Sequence, residues 1–190
     1  TPGLPRGRRV GDDEAMTTQP LASAANIDEA AQRLFHAIET HTPCAPVRDL
    51  IGENDVAAAY KVQEQLIAAR LGAGAKVVGR KIGATSKAVQ DQLGVDQPDF
   101  GVLLDDMEYT EDQVVPMSRL LQHKVEAEVA FVLGEDLAEG DLDIAQVRGA
   151  IDYAVAALEI VDSRIENWNI SFGDTVADNA SSGLYVLGTE

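Results

Sequence analysis

Two glutamates separated by one residue stand in a β-like stretch near the middle of the chain. Side chains of a strand alternate between its two faces, so Glu126 and Glu128 are expected to point the same way, about 7 Å apart. A third glutamate, Glu159, lies in the apolar segment 156–161, where a carboxylate without a counter-charge would be costly. Three converging carboxylates suit a hard cation with oxygen ligands, so the sequence predicts a Mg²⁺ or Mn²⁺ site.

The alternative for Glu126 and Glu128 is a solvated strand face, with Val125, Ala127 and Val129 turned to the core. Residues 130–133 weaken this alternative because they continue the strand with apolar side chains on both faces. A carboxylate beside an apolar surface needs a counter-charge, and a bound cation supplies one.

Zinc is disfavoured because it prefers nitrogen and sulfur ligands. His36 and His41 lie on or beside a predicted helix as surface residues, and His123 adjoins the strand among polar neighbours. The single cysteine, Cys44, lies in a loop-like stretch and excludes an internal disulfide, which fits a reducing compartment.

The balance of charge argues against nucleic acid as a partner. There are 15 Lys and Arg against 32 Asp and Glu, a formal net charge of −17, which repels a polyanion. The tight basic cluster at residues 6–9 belongs to residues 1–15, which are expected to form a disordered leader or tag-like segment before a single domain over residues 16–190. No apolar stretch approaches the roughly 20 residues that span a bilayer, and no secretory signal is evident, so a cytoplasmic location without membrane attachment is expected.

The elements that must position the glutamates follow from capping residues and periodicity. Helices are predicted from Asn26 onward, from Asn54 to Gly72, and over residues 143–157. Strands are predicted at residues 77–82, 101–104, 114–115, 125–133, 158–161 and 184–187. Because the helices are set apart from the runs of strands, the predicted class is α+β, with an N-terminal helical layer.

Six ordered segments of the chain resemble the 2-oxopent-4-enoate (2-hydroxypentadienoate) hydratases of the fumarylacetoacetate hydrolase superfamily. They are PVRDLI at 46–51, VGRKIGATS at 78–86, QLGVDQPDFG at 92–101, KVEAE at 124–128, ALEIVDSR at 157–164 and DTVADNAS at 174–181. The resemblance implies a mixed β roll or sandwich of that superfamily's type. It also implies that residues 16–190 form a catalytic domain that lacks its C-terminal portion.

The activity implied by this resemblance is that of a metal-dependent lyase in the meta-cleavage breakdown of aromatic compounds. Such an enzyme adds water to a small-molecule 2-hydroxy-2,4-dienoate and gives a 4-hydroxy-2-oxo acid. Lys81 matches the family's active-site lysine, Asp99 becomes a candidate acid or base, and Ser181 matches a serine near the substrate. Taken alone, the three would be interpreted as a surface lysine, a backbone acceptor in a turn and a loop serine.

Other polar and aromatic residues of the six segments and their surroundings are expected to have structural roles. Arg80 is expected to pair with a carboxylate, and Asp162 with Arg164 to form a buried ion pair behind the metal ligands. Trp168 and Phe172 are interpreted as core or interface residues.

Several alternatives stay open. The 4-oxalocrotonate decarboxylases of the same superfamily carry very similar glutamate and DNAS segments, and hydratases for longer 2-oxo-dienoates share the motifs. A non-catalytic metal-binding subunit is a hypothesis of another class. The resemblance also implies a homo-oligomer, with a pathway decarboxylase or aldolase as a further expected partner.

Overall fold

The computed structural model describes residues 22–93, 95–137 and 140–189. Residues 1–15, expected to form a leader, lie outside that part of the chain. Helices pack beside two β-sheets, which confirms the predicted α+β class. None of the helices among the described residues is both long and apolar enough to cross a membrane.

Three helices form the N-terminal layer: α1 (Ala24–Thr40), α2 (Arg48–Ile51) and α3 (Val56–Gly72). The first begins before the predicted Asn26 because Ser23 is its N-cap and accepts from the amide of Asn26. Helix α3 is capped by Asp55, whose side chain accepts a hydrogen bond from the amide of Ala58. These helices share one apolar core with a later helix, α6 (Phe172–Ala177).

A two-stranded antiparallel ribbon follows, made of β1 (Val77–Gly83) and β2 (Asp99–Leu104), with the short helix α4 (Lys87–Leu93) between them. A Cβ on Gly101 would lie 2.8 Å from Ser182 Oγ and 2.9 Å from the carbonyl oxygen of Asn179. Glycine is therefore required at this position for the ribbon to lie so close to the main sheet.

The main sheet has the strand order β3–β6–β5–β4. Its strands are β3 (Glu108–Thr110), β4 (Lys124–Leu133), β5 (Ile151–Val161) and β6 (Ser182–Leu187). Strand β3 runs parallel to β6, whereas the β6–β5 and β5–β4 pairs are antiparallel, so the sheet is mixed.

Two of the predicted elements are wrong. Only the first half of the helix predicted over residues 143–157 forms, as α5 (Ile144–Ala150), and β5 begins at the next residue. Its capping box, between Asp143 and Gln146, is present, but pairing of β5 with β4 from Ile151 onward outweighs the helical spacing of the apolar residues after 150. Residues 114–115, predicted as a strand, are irregular, and the strand at 108–110 was not predicted.

The outer face of the β4–β5 pair is apolar and exposed among the described residues. Val129 and Phe131 each show 61% exposure, and Val125 shows 59%. The alternative that placed Val125, Ala127 and Val129 in the core is therefore wrong for the described part of the chain.

Candidate metal centre

The three predicted glutamates meet on one face of the β4–β5 pair. The register of the two strands places Glu126 directly opposite Glu159, and Glu128 follows two residues later on the same face. One carboxylate oxygen from each residue lies within 4.8 Å of those of the other two. Such a cluster of hard oxygen donors fits a divalent cation of the Mg²⁺ type and offers zinc neither nitrogen nor sulfur.

Lys81 of β1 supplies the positive charge that this cluster faces. Its Nζ lies 2.8 Å from Glu159 Oε1, and the two side chains are 12% and 13% exposed. The Oε1 atom is buried, and among the described residues it has no hydrogen-bond partner besides this ion pair. A buried carboxylate oxygen with only an ion pair retains capacity for another ligand.

The electrostatics of Glu159 show how one lysine fails to balance three carboxylates. Burial raises the pKa of Glu159 above its ordinary value, and the charge of Lys81 lowers it again in part. The neighbouring negative charges of Glu126 and Glu128 raise the pKa further. A divalent cation between the three groups would favour their ionised forms, so the donor set fits the predicted metal.

Asp99 lies at the start of β2 rather than in a turn, which corrects the sequence interpretation. It pairs in register with Gly83, two residues from Lys81 on β1, and its side chain is buried. A Cβ on Gly83 would stand 2.2 Å from Asp99 Oδ1, so glycine makes the room for this carboxyl group. Burial raises the pKa of Asp99, although the charge of Lys81 opposes that effect.

Ser181 belongs to a strained turn that follows α6. Asn179, Ala180 and Ser181 have φ angles of 53°, 53° and 50°, a left-handed conformation that costs free energy in residues other than glycine. The Ser181 side chain is buried, and among the described residues its Oγ has no hydrogen-bond partner. Strain and an unpartnered hydroxyl together are features of functional sites.

The turn is held by contacts on both of its sides. The side chain of Asn179 accepts from the amide of Val102 at 2.7 Å and donates to its carbonyl oxygen at 2.9 Å. The carbonyl oxygen of Ser181 accepts from the amide of Asp162 at 2.8 Å. The turn therefore links the ribbon that carries Lys81 to the end of the strand that carries Glu159.

The expected ion pair between Asp162 and Arg164 is wrong. Arg164 instead pairs with Asp178, a fully buried residue of the α6 end, and also donates to the carbonyl oxygens of Asp162 and Ser182, both at 2.6 Å. Burial raises the pKa of Asp178 to about 6, although the charge of Arg164 lowers it. Among the described residues Arg80 pairs with no carboxylate, contrary to expectation: its side chain is exposed and donates to the carbonyl oxygen of Gly79.

Residues near the cluster that the sequence did not single out are Gln122 and Lys124. Gln122 joins the start of β4 to the segment after β5, and the Nζ of Lys124 lies 3.9 Å from the centre of the Trp168 ring. Lys124 belongs to the matched KVEAE segment, whereas Gln122 lies outside all six segments and had no signal of its own.

Solved structures place this architecture in a known class. The 4-oxalocrotonate decarboxylase from Pseudomonas putida G7, complexed with magnesium and adipate, aligns with a TM-score of 0.82 and 32% identity over 90% of this chain and 65% of that one. The same enzyme complexed with calcium and acetate aligns with a TM-score of 0.80 and 31% identity. The fold is thus of the 4-oxalocrotonate decarboxylase type.

Curated relatives are closer in sequence. The TodF product hydratase of Pseudomonas putida is 52% identical over 92% of this chain and 65% of its own length, and the 2-keto-4-pentenoate hydratase of Paraburkholderia xenovorans is 54% identical over 85% and 60%. A 2-hydroxypent-2,4-dienoate hydratase of Pseudomonas putida is 42% identical over 86% of this chain and 74% of its own length. The chain belongs to this family of 2-keto-4-pentenoate (2-hydroxypenta-2,4-dienoate) hydratases, which confirms the resemblance of its six segments.

The chain spans 65% and 60% of the lengths of the first two hydratases named. No protein-family model matches the chain.

Proposed function

We propose that this protein is a divalent-metal-dependent hydro-lyase that adds water to 2-hydroxypenta-2,4-dienoate and forms 4-hydroxy-2-oxopentanoate. The observation that carries the proposal is the meeting of Glu126, Glu128 and Glu159 on one face, with Lys81 at 2.8 Å from Glu159. Identities of 52% and 54% to hydratases support this reaction over others of the superfamily.

In this proposal Glu126, Glu128 and Glu159 hold Mg²⁺ or Mn²⁺. The bound cation supplies Lewis acidity toward the carboxylate and the C2 oxygen of the substrate. The magnesium complex of the decarboxylase with the same fold supports a divalent cation of this kind.

The reaction requires two proton movements besides the addition of water. The dienol takes up a proton at C5 and gives up its enol proton, after which hydroxide adds at C4 and a proton at C3. Asp99 is the proposed proton donor, because burial raises the pKa of its carboxyl group and so increases the protonated fraction. Asp99 pairs with Gly83 across the β1–β2 ribbon, two residues from Lys81, and the charge of Lys81 acts on its carboxyl group, which supports this role.

Lys81 and Ser181 are proposed to bind the oxygen atoms of the substrate. The Lys81 ammonium group stabilises negative charge that develops on the C2 oxygen as the dienol ionises. The hydroxyl of Ser181, which has no hydrogen-bond partner among the described residues, can donate to a substrate oxygen, and the left-handed turn keeps that hydroxyl in place.

A second candidate is decarboxylation of 4-oxalocrotonate, because the enzyme with that activity shares the fold at a TM-score of 0.82. Both reactions pass through an enolate, and the same carboxylate cluster serves either one. The greater identity to hydratases, 52% against 32%, places decarboxylation second.

The test is an assay of the protein with each substrate in the presence of Mg²⁺ or Mn²⁺. We expect the ultraviolet absorbance of 2-hydroxypenta-2,4-dienoate to fall and 4-hydroxy-2-oxopentanoate to accumulate. Lys81→Met and Asp99→Asn should each lower the rate by about 100-fold or more, since each removes a proton-transfer or charge-stabilising group. Release of CO₂ from 4-oxalocrotonate without loss of dienoate absorbance would replace the proposal with its second candidate.

A further inference from the structure

Gln122 lies two residues before β4, and all of its side-chain polar atoms are engaged. The Nε2 group donates to the carbonyl oxygens of Ser163 and Ile165, at 3.0 and 2.8 Å. The Oε1 atom accepts from the amide of Asn167 at 2.7 Å. Because those three partners come after β5, the side chain ties the beginning of one strand to the exit of its neighbour.

The backbone of Gln122 makes the same connection. Its amide donates to Asp162 Oδ1 at 2.6 Å, and its carbonyl oxygen accepts from Trp168 Nε1 at 2.7 Å. Five contacts from one residue therefore reach the segment 162–168. This set of contacts is called the Gln122 clamp.

The clamp lies at the end of the strand pair nearest the metal ligands. The ladder begins with Lys124 opposite Val161, and Glu126 stands opposite Glu159 two residues further in. A slip of one residue between the strands would turn Glu126 to the other face, so the position of the ligands depends on this register. By fixing both strand ends, the clamp opposes such a slip.

The clamp also stabilises a strained turn. Asn167 and Trp168 have φ angles of 58° and 54°, and two consecutive left-handed residues other than glycine cost free energy. Gln122 binds both of them, and the Trp168 ring then lies 3.9 Å from Nζ of Lys124. Lys124 shares its strand face with Glu126, so the indole packs against a side chain at the edge of the candidate metal centre.

We propose that Gln122 is a positioning residue of this metal centre, holding Glu126 opposite Glu159 and Trp168 against Lys124. This inference rests on the proposed function, because it assumes that the three glutamates bind a divalent cation. It assigns Trp168 to the edge of the site instead of the core or interface role expected from the sequence.

Trp168 makes the inference directly measurable, because it is the single tryptophan of the chain. In Gln122→Met the side chain keeps its length and loses its three hydrogen bonds. We therefore expect tryptophan emission at longer wavelength, because the indole becomes more exposed to solvent. We also expect the affinity for Mn²⁺, measured by calorimetry, to fall about tenfold or more, as when other supports of metal ligands are removed. Circular dichroism should show a folded protein.

The matched control is Gln146→Met, because Gln146 is an exposed glutamine that caps α5 and contacts none of these groups. Its emission and Mn²⁺ affinity should equal those of the wild type. If Gln122→Met does not fold, Trp168→Phe tests the same connection, since it removes the Nε1 donor to the Gln122 carbonyl oxygen and reduces the ring that lies over Lys124. We expect it to weaken Mn²⁺ binding by about threefold.

The outcomes separate the two proposals. A wild-type protein that does not bind Mn²⁺ would overturn the metal centre, and the role of Gln122 with it. A wild type that binds Mn²⁺, with folded Gln122→Met of equal affinity and unchanged emission, would overturn the inference about Gln122 alone. Where only Trp168→Phe folds, unchanged affinity in that variant overturns it.

Discussion

Lys81 faces the carboxyl groups of Glu159 and Asp99, and burial disfavours the charged form of both. It pairs with Glu159 and, through its charge, lowers the pKa of Asp99 that burial has raised. The three glutamates still leave an excess of negative charge at the cluster. In the proposed site a divalent cation and Lys81 are therefore two sources of compensating charge for Glu159.

Replacing Lys81 with Met should separate those two sources. Without metal, the change leaves the Glu159 carboxylate buried and unpaired, and we expect a loss of about 1–3 kcal/mol in the free energy of unfolding. Saturating Mg²⁺ should recover most of the loss, because the cation then compensates the carboxylates. Thermal unfolding with and without Mg²⁺ measures this.

Lys87→Met is the matched control for that experiment. Lys87 forms an exposed pair with Asp91 at i,i+4, with side chains 72% and 64% exposed, and such pairs contribute little. Its unfolding should change slightly and equally in both conditions. A loss in Lys81→Met that Mg²⁺ does not reduce would contradict the shared role of metal and lysine.

Asp178 gives a second residue-scale prediction, which concerns pH. Its folded pKa, about 6, exceeds the ordinary 3.8, so the folded state binds a proton more tightly than the unfolded chain. The contribution of this group to stability is therefore present at low pH and is lost as pH rises through 6. Asp178→Asn cannot titrate, so its deficit against the wild type should be larger near pH 4 than near pH 7. A deficit that grows toward pH 7 in denaturant titrations would contradict the direction of this pKa shift.

Strand pairing decides the geometry of the site at the scale of elements. Alternation along β4 correctly predicted that Glu126 and Glu128 share a face, because that depends on local backbone geometry alone. The pairing of Glu126 with Glu159 depends on register between segments far apart in sequence, which no local pattern encodes. The helix predicted through residue 157 failed for the same reason, since pairing with β4 determines the strand conformation from Ile151 onward.

The β1–β2 ribbon offers the clearest prediction about an element. In Gly101→Ala the new Cβ would meet Ser182 Oγ at 2.8 Å and a backbone oxygen at 2.9 Å, so the ribbon must move away from the turn. We expect a loss of about 1–3 kcal/mol in the free energy of unfolding. Mn²⁺ should bind somewhat more tightly, because Lys81 shifts away from Glu159 and the cation then compensates more of the carboxylate charge. Chemical denaturation and calorimetry measure the two effects.

A control lies in the same ribbon. Gly79→Ala would place its Cβ 3.6 Å from Leu103 Cδ1, an ordinary contact, so stability and Mn²⁺ affinity should stay near wild-type values. Equal effects from the two substitutions would show that the close approach at Gly101 does not matter to the site.

The whole molecule is a strongly acidic chain of the hydratase family that carries a carboxylate cluster. The net charge of −17 gives many exposed carboxylates that bind cations weakly and without a defined site. Three features distinguish the cluster from that background: the cross-strand pair, the third glutamate on the same face and the partly buried Lys81. The resemblance to hydratases predicted the reaction class, but only the folded chain could bring together Lys81 and Glu159, which are 78 residues apart in the sequence (159 − 81).

A specific site should also stabilise the whole fold. A cation that binds only the folded state adds about 2.7 kcal/mol at a concentration of 100 times its Kd. We therefore expect removal of divalent metal by a chelator to lower the unfolding temperature of the wild type. Glu126→Gln with Glu128→Gln should show no such dependence, whereas Glu64→Gln, on the exposed surface of α3, should retain it.

Calorimetric titration of Mg²⁺ or Mn²⁺ into the protein tests whether Glu126, Glu128 and Glu159 are the metal ligands. The wild type and Glu64→Gln should bind one ion per chain with equal affinity, and the double variant Glu126→Gln Glu128→Gln should show no specific binding. Unchanged stoichiometry and affinity in a folded double variant would contradict the assignment of these glutamates as the metal ligands.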